Sequence, residues 1–158
     1  MAEEKTNVMR ILDKEKISYK AHFYPHGKEA VDGVTVAQLL NQNPLQVFKT
    51  LVTKGTGRNY YVFVIPVAKE LDLKKAARAV CEKSVEMIPV ADINKVTGYI
   101  RGGCSPVGMK KLYPTVFDES CLDVPAIMVS AGKIGSQIET KAENLIKLVN
   151  GRVADLVF

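Results

Sequence analysis

Two runs of β-branched and aromatic residues, Gln46 to Thr53 and Tyr60 to Val67, constrain the fold most, because only Lys54-Gly-Thr-Gly-Arg-Asn59 separates them. Such residues fit a pleated, half-buried surface, and the two glycines let the chain reverse in a short connection. A β-hairpin is expected here. Any fold for the chain has to be built around it.

The flanking segments supply both kinds of element. Glu3 to Lys16 places Val8, Ile11 and Leu12 at helical spacing, with charges on the other side. Ser18 to Tyr24 reads as a strand that ends at Pro25 and Gly27. Val34 to Asn41 resembles a short helix, with Thr35 as its N-cap and Asn43-Pro44 as the breaker. Leu71 to Lys83 and Val90 to Val96 carry helical patterns, and Tyr99 to Gly108 holds Gly102, Gly103, Pro106 and Gly108 in a turning loop. Thr115 to Phe117 and Ala126 to Ser130 read as strands, Thr140 to Val149 as a capped helix and Arg152 to Val157 as a last strand. Strands and helices mix without a βαβ rhythm. The expectation is an α+β fold around a mixed, curved or barrel-like sheet, in one domain spanning residues 1–158.

Composition narrows the class. With 158 residues, 47% of them hydrophobic, the chain can bury a core without covalent staples. Cys81, Cys104 and Cys121 are odd in number and widely spaced, which argues against disulfides and a structural metal. No apolar stretch has the length of a membrane span, and Met1-Ala-Glu-Glu-Lys5 lacks the apolar core of a secretion signal, so a cytoplasmic protein is expected. The formal net charge of +5 is compatible with a polyanionic partner, although basic surfaces are also common in other soluble proteins.

Few residues point to chemistry unaided. Lys49 stands in the middle of Val47-Phe-Lys-Thr-Leu-Val52, where burial would favour its neutral form; strand alternation alone would instead send it to water with Phe48 inward. The glycine-rich loop, and the smaller Ser130-Ala-Gly-Lys-Ile-Gly135, can bring backbone N–H groups close to a carbonyl or phosphate, or can be structural turns. Neither has the Walker or dinucleotide spacing. His22 and His26 are the only histidines, and no nucleophile is paired with either in the sequence. Cys104 is either a nucleophile or a small apolar filler.

Taken together, Phe48-Lys-Thr-Leu-Val52, Pro66-Val-Ala68, Leu71-Asp-Leu-Lys-Lys75, Gly98-Tyr-Ile-Arg-Gly-Gly-Cys-Ser-Pro-Val-Gly-Met-Lys-Lys111 and Val129-Ser-Ala-Gly-Lys-Ile-Gly135 resemble the YbaK/EbsC family of Cys-tRNA(Pro) and Cys-tRNA(Cys) deacylases. These are relatives of the editing domain inserted in bacterial prolyl-tRNA synthetase. The resemblance runs through essentially the whole chain. It implies a barrel-like mixed sheet, no metal or other cofactor, and a pocket for the aminoacyl-adenosine end of tRNA. It places the family lysine on Lys49, as the residue that holds the ester carbonyl, ribose or phosphate. The family's pocket tyrosine falls on Tyr24, with Thr50 on the lysine's strand. Gly102, Gly103 and Ser105 correspond to the loop that closes over substrate, and Ser130 to the later serine loop. Gln137 replaces an acidic residue of the best-known members, and Cys104 replaces an aliphatic one.

The implied chemistry is attack of the substrate's own thiol on its ester carbonyl. The sister activity on alanyl-tRNA(Pro) would use the same fold. A non-catalytic module for charged tRNA or a synthetase would use Lys74, Lys75, Arg78, Lys110 and Lys111 as a basic face. Prolyl-tRNA synthetase is the expected recruiting partner, and no membrane partner is expected.

Overall fold

The computed structural model describes residues 5–27, 29 and 31–158. Its strands are β1 (Lys20–Phe23), β2 (Phe48–Gly55), β3 (Tyr60–Pro66), β4 (Val85–Met87), β5 (Thr115–Asp118), β6 (Ile127–Ser130), β7 (Ser136–Thr140) and β8 (Arg152–Ala154). Its α-helices are α1 (Asn7–Lys14), α2 (Gly33–Leu39), α3 (Leu73–Ala79), α4 (Ile93–Thr97) and α5 (Ala142–Leu148).

The expected hairpin is present: β2 and β3 pair antiparallel from Phe48 opposite Pro66 to Lys54 opposite Tyr60. It sits inside a five-stranded sheet of order β4-β2-β3-β5-β8, in which β5 joins β3 and β8 joins β5 in parallel. A second, antiparallel sheet has the order β1-β7-β6. A single parallel bridge between Val47 and Met128 links the two sheets. The architecture is the expected mixed α+β type, but the strands do not close into a barrel. β4 pairs with β2 only at Thr53–Gly55, so Phe48 to Leu51 face a seam between the sheets.

Helix boundaries differ from the sequence reading for local reasons. Helix α1 starts after Thr6, whose side chain accepts from Met9 N, while Glu3 and Glu4 lie outside the described residues. Asp32, not Thr35, caps α2: its carboxylate accepts from Thr35 N and from the Thr35 hydroxyl. Helix α3 ends at Ala79, short of Lys83, because Cys81 turns left-handed at φ 58° and Glu82 N returns to Ala77 O. Val90–Asp92 is a 3₁₀ turn leading into α4. At α5 the cap position is Lys141, without a side-chain cap bond, so Thr140 does not cap that helix.

The main core gathers Val8, Met9 and Leu12 of α1 with Val62, Val64, Phe117, Ile138 and Leu145. A second cluster places Phe63, Ile65 and Val116 under Ala76 and Ala77 of α3. Full burial of each large side chain contributes roughly 1.5–3 kcal/mol. Both clusters rest on β3, which holds β2 rigidly beside the seam. Asp118 fixes the far end of the sheet, accepting from Ser120 N, the Ser120 hydroxyl and Leu156 N. Among the described residues no helix is long and apolar enough to cross a membrane.

Candidate active site

The seam opens into a cavity of about 840 Å³, inside the range of roughly 300–1,000 Å³ usual for small-molecule sites. Its wall takes Phe48, Lys49, Thr50 and Leu51 from β2, and Ser130, Ser136 and Gln137 from β6 and β7. Tyr24 joins them after β1, where its N–H donates to Gly135 O. Ile100, Arg101, Gly102 and Cys104 of the glycine-rich loop complete the rim, with Glu29 and Asp32 before α2.

Strand position explains the lysine. Phe48 is buried in the main core, and the next residue, Lys49, is half-buried in the cavity wall instead of projecting into open solvent. The ion pairs among the described residues are Lys5–Asp13, His22–Glu139 and Lys75–Asp155, and Lys49 is in none of them. Beside it, the Thr50 hydroxyl is sealed from solvent and has no partner among the described residues. An unpaired buried hydroxyl costs roughly 1–3 kcal/mol, a cost the fold carries at the cavity wall.

The two glycine-bearing loops meet each other. A Cβ on Gly103 would come within 3.2 Å of Ile134 N and 3.3 Å of the Lys133 Cα and carbonyl carbon. The loops approach this closely because position 103 lacks a side chain. Tyr99 wedges the arrangement from behind: its hydroxyl donates to Val107 O, and its ring fills the space beside Gly132, where a Cβ would lie 3.1 Å from Cε1. Both Gly102, at φ 86°, and Gly132, at φ 97°, use the left-handed region that favours glycine. Gly102 N and Cys104 N have no acceptor among the described residues, leaving two backbone donors on the rim of the cavity.

Lys49, Tyr24, Thr50, Gly102, Ser130 and Gln137 are thus brought to one cavity. Gly103 and Ser105 are outside its wall: Gly103 makes the loop contact, and Ser105, fully buried, accepts from Val107 N. Sequence reasoning missed Gln42, whose Nε2 donates to Gln137 Oε1 at 2.8 Å. No local pattern marks it, since 95 positions separate the partners.

The cysteine and the histidines are not poised as nucleophile or base, and the carboxylates that reach the cavity are Glu29 and Asp32 on its rim. Burial pushes the Cys104 thiol up to about 11, with the Thr97 hydroxyl opposing part of the rise. At neutral pH only about one such thiol in ten thousand is ionised. His22 binds Glu139 at 2.8 Å, and neither His22 nor His26 lines the cavity. Among the described residues no cluster of three or more His, Cys, Asp or Glu is placed to hold a metal ion. The proposed basic face is partly occupied, because Lys75 binds Asp155 at 2.9 Å and Val157 O at 2.6 Å.

The model for the aminoacyl-tRNA editing domain matches residues 9–148. The chain is 44% identical over 154 residues to EbsC of Enterococcus faecalis, to which Cys-tRNA(Pro)/Cys-tRNA(Cys) deacylase activity is ascribed. That alignment covers 98% of this chain and 94% of the relative. A crystal structure ascribed to a trans-editing enzyme for prolyl-tRNA synthetase superposes with TM-score 0.82 at 24% identity, covering 98% of this chain and 99% of that one. The hypothetical protein APE2540 superposes with TM-score 0.85 at 21% identity, covering 98% and 100%. These two structures share the fold.

Proposed function

The chain belongs to the aminoacyl-tRNA editing domain family, and from that membership we propose that it is a cytoplasmic trans-editing deacylase that removes cysteine from mischarged Cys-tRNA(Pro), and from Cys-tRNA(Cys). The observation that carries the reading is a lysine without an ion-pair partner among the described residues, in the wall of a cavity large enough for an aminoacyl-adenosine, whose rim also carries the Gly102 and Cys104 N–H groups. The relative at 44% identity supports the substrate.

Lys49 holds the 3′-terminal aminoacyl ester in place by its charge, at the ester carbonyl, the ribose or the terminal phosphate. Gly102 N and Cys104 N are the donors available to the oxyanion that develops when the carbonyl is attacked. In keeping with the YbaK/EbsC resemblance, the attacking group is assigned to the substrate itself, and the protonated Cys104 thiol is not called on. The cysteinyl sulfur forms a bond to its own carbonyl carbon, the ester C–O bond breaks, and the thiol proton passes to the departing ribose oxygen. The products are tRNA with a free terminal hydroxyl and a cyclic thioester, which water then opens to cysteine. A free thiol has a pKa of about 8.5, so a usable fraction is thiolate near neutrality. Editing of this kind is useful because a synthetase separates small side chains of similar size by only about 1–3 kcal/mol.

Thr50 is assigned to substrate contact. Thr50→Val removes an unpartnered hydroxyl at constant volume, so the melting midpoint should hold or rise, while cysteinyl ester cleavage falls about 5- to 30-fold because bound substrate turns this side chain into the cavity and takes its hydroxyl as a partner. Thermal melts run beside initial rates check both halves. Tyr24, Ser130 and Gln137 complete the substrate wall, while Gly103 and Ser105 act by shaping the loop that closes over it. Prolyl-tRNA synthetase is the proposed recruiting partner, since a pocket for the terminal adenosine alone would not select a tRNA body.

The test is to supply Cys-tRNA(Pro), Cys-tRNA(Cys) and Ala-tRNA(Pro) side by side and follow ester loss. Preferential loss of the cysteinyl esters supports the reading, whereas preference for the alanyl ester reassigns the protein to the sister activity.

A further inference from the structure

Five of the described residues that line the cavity are exposed, and they mark its mouth: Glu29 and Asp32 before α2, and Ile100, Arg101 and Gly102 of the glycine-rich loop. The other lining residues are buried or half-buried, Lys49 among them. Lys49 and Arg101 are the two cations of the described wall, so one positive charge stands within the cavity and one at its mouth.

A turn sets the place of Arg101. Gly103 N donates to Ile100 O at 3.0 Å and Gly102 takes φ 86°, so Arg101 and Gly102 form the tip of a β-turn with glycine where a positive φ is required. The base of the turn is pinned, because the Tyr99 hydroxyl donates to Val107 O and Gly103 packs on the backbone of Lys133 and Ile134. The Arg101 guanidinium has no hydrogen-bond or ion-pair partner among the described residues. Lys110, later on the same loop, is committed instead, donating to Lys95 O at 3.2 Å. An unpaired guanidinium on a fixed turn offers a planar fork that matches the oxygens of a phosphate.

On the deacylase reading above, the ester end of the terminal adenosine enters the cavity, which at about 840 Å³ cannot admit the rest of the polymer. The strand therefore leaves through the mouth, and the 5′-phosphodiester of that adenosine is the first anion along it. Glu29 and Asp32 repel it. Hydrogen bonds from the Thr35 hydroxyl and N–H hold the Asp32 carboxyl below the usual carboxylate range, so that side of the mouth stays negative. Arg101 is the mouth residue that can receive the phosphate.

We propose that Arg101 binds the 5′-phosphate of the terminal adenosine, which assigns Lys49 to the other end of the same nucleotide, at the ester carbonyl and ribose. The proposal rests on the deacylase reading and divides the substrate between the two cations. A nucleotide held at both ends presents its ester in one orientation without any contact to the tRNA body.

Three cysteinyl esters test this: that of adenosine at its 3′-hydroxyl, that of adenosine 5′-monophosphate at the same hydroxyl, and Cys-tRNA(Pro). Wild-type protein should cleave the monophosphate ester with a kcat/KM about 5- to 30-fold above that of the adenosine ester, chiefly through KM, and added salt should shrink the advantage. Arg101→Ala should bring this ratio to about one and Arg101→Glu below one, while Arg101→Lys, a point charge without the fork, should keep part of it. On Cys-tRNA(Pro), Arg101→Ala should raise KM by a similar factor and reduce the salt slope by about one. Lys49→Ala should slow both small esters and leave their ratio near the wild-type value. Damage to the fold would slow both esters alike, so the ratio separates phosphate binding from a structural role. A ratio that survives Arg101→Ala, or that is lost in Lys49→Ala instead, would overturn the proposal, as would an unchanged KM for Cys-tRNA(Pro) in Arg101→Ala. A wild-type protein that cleaves none of the three esters refutes the deacylase reading itself, an outcome distinct from these.

Discussion

Lys49→Ala is expected to lower deacylation of cysteinyl-tRNA(Pro) by about 100- to 1,000-fold, the loss typical when one preorganised electrostatic contact is removed from a shielded site. The magnitude follows from placement. Lys49 stands in the cavity wall with no ion-pair partner among the described residues, so its charge is available to the substrate. The same fact limits the structural cost, because no ion pair is broken and β2 keeps its pairing with β3 from Phe48 to Lys54. A melting midpoint within about 4 °C of wild type is expected. Lys49→Arg keeps the charge but replaces a compact ammonium with a planar fork, and should recover only part of the rate. Single-turnover kinetics and melts on the same samples check this, and a Lys49→Ala protein retaining more than a tenth of wild-type activity would remove Lys49 from the mechanism.

Seryl-tRNA(Pro) should be cleaved at least about 100-fold more slowly than the cysteinyl ester. The two substrates differ only in oxygen for sulfur, so recognition of size cannot separate them. Ionisation can. A hydroxyl needs a general base, and such a base contributes roughly 10²- to 10⁴-fold. The cavity wall contains no histidine, the Cys104 thiol, raised to about 11, is protonated in the neutral range, and of the two carboxylates on the rim, Glu29 and Asp32, the latter is committed to capping α2 through Thr35. The cysteinyl ester brings a nucleophile that ionises near pH 8.5, so its rate should climb as pH rises from 6 toward that value. Cys104→Ala should show the same climb. Initial rates for both esters across this pH range decide the matter; equal rates would mean that water or an enzyme group attacks, and not the substrate's thiol.

The hairpin, the two glycine-bearing loops and the lysine between them were legible in the sequence because each rests on local chemistry. β-Branched runs pair across a short turn, and clustered glycines mark a loop that comes close to something. The close approach was visible, but its partner was not: Gly103 meets the backbone at Lys133 and Ile134, 30 or more positions away. Strand β7 escaped notice because Ser136 and Gln137 are polar yet buried, facing a cavity that exists only once the sheets have assembled. β4 is three residues long, too short for any periodicity to declare itself. Alternation holds, with Phe48 in the core and Lys49 on the opposite face, but that face lines the cavity instead of open water, which only the assembled sheets reveal. Gln42 could not be found at all from spacing. Only the fold brings it to Gln137, and only the pairing gives either amide a direction.

The most direct measurement is the rate of ester loss from purified Cys-tRNA(Pro) at neutral pH with the protein present in catalytic amount, set against the spontaneous rate in buffer. Loss many-fold above the buffer rate, with turnover beyond one equivalent and release of uncharged tRNA, is the expected result. A rate equal to buffer in a sample that nonetheless binds the charged tRNA would contradict the account and leave a binding module in its place.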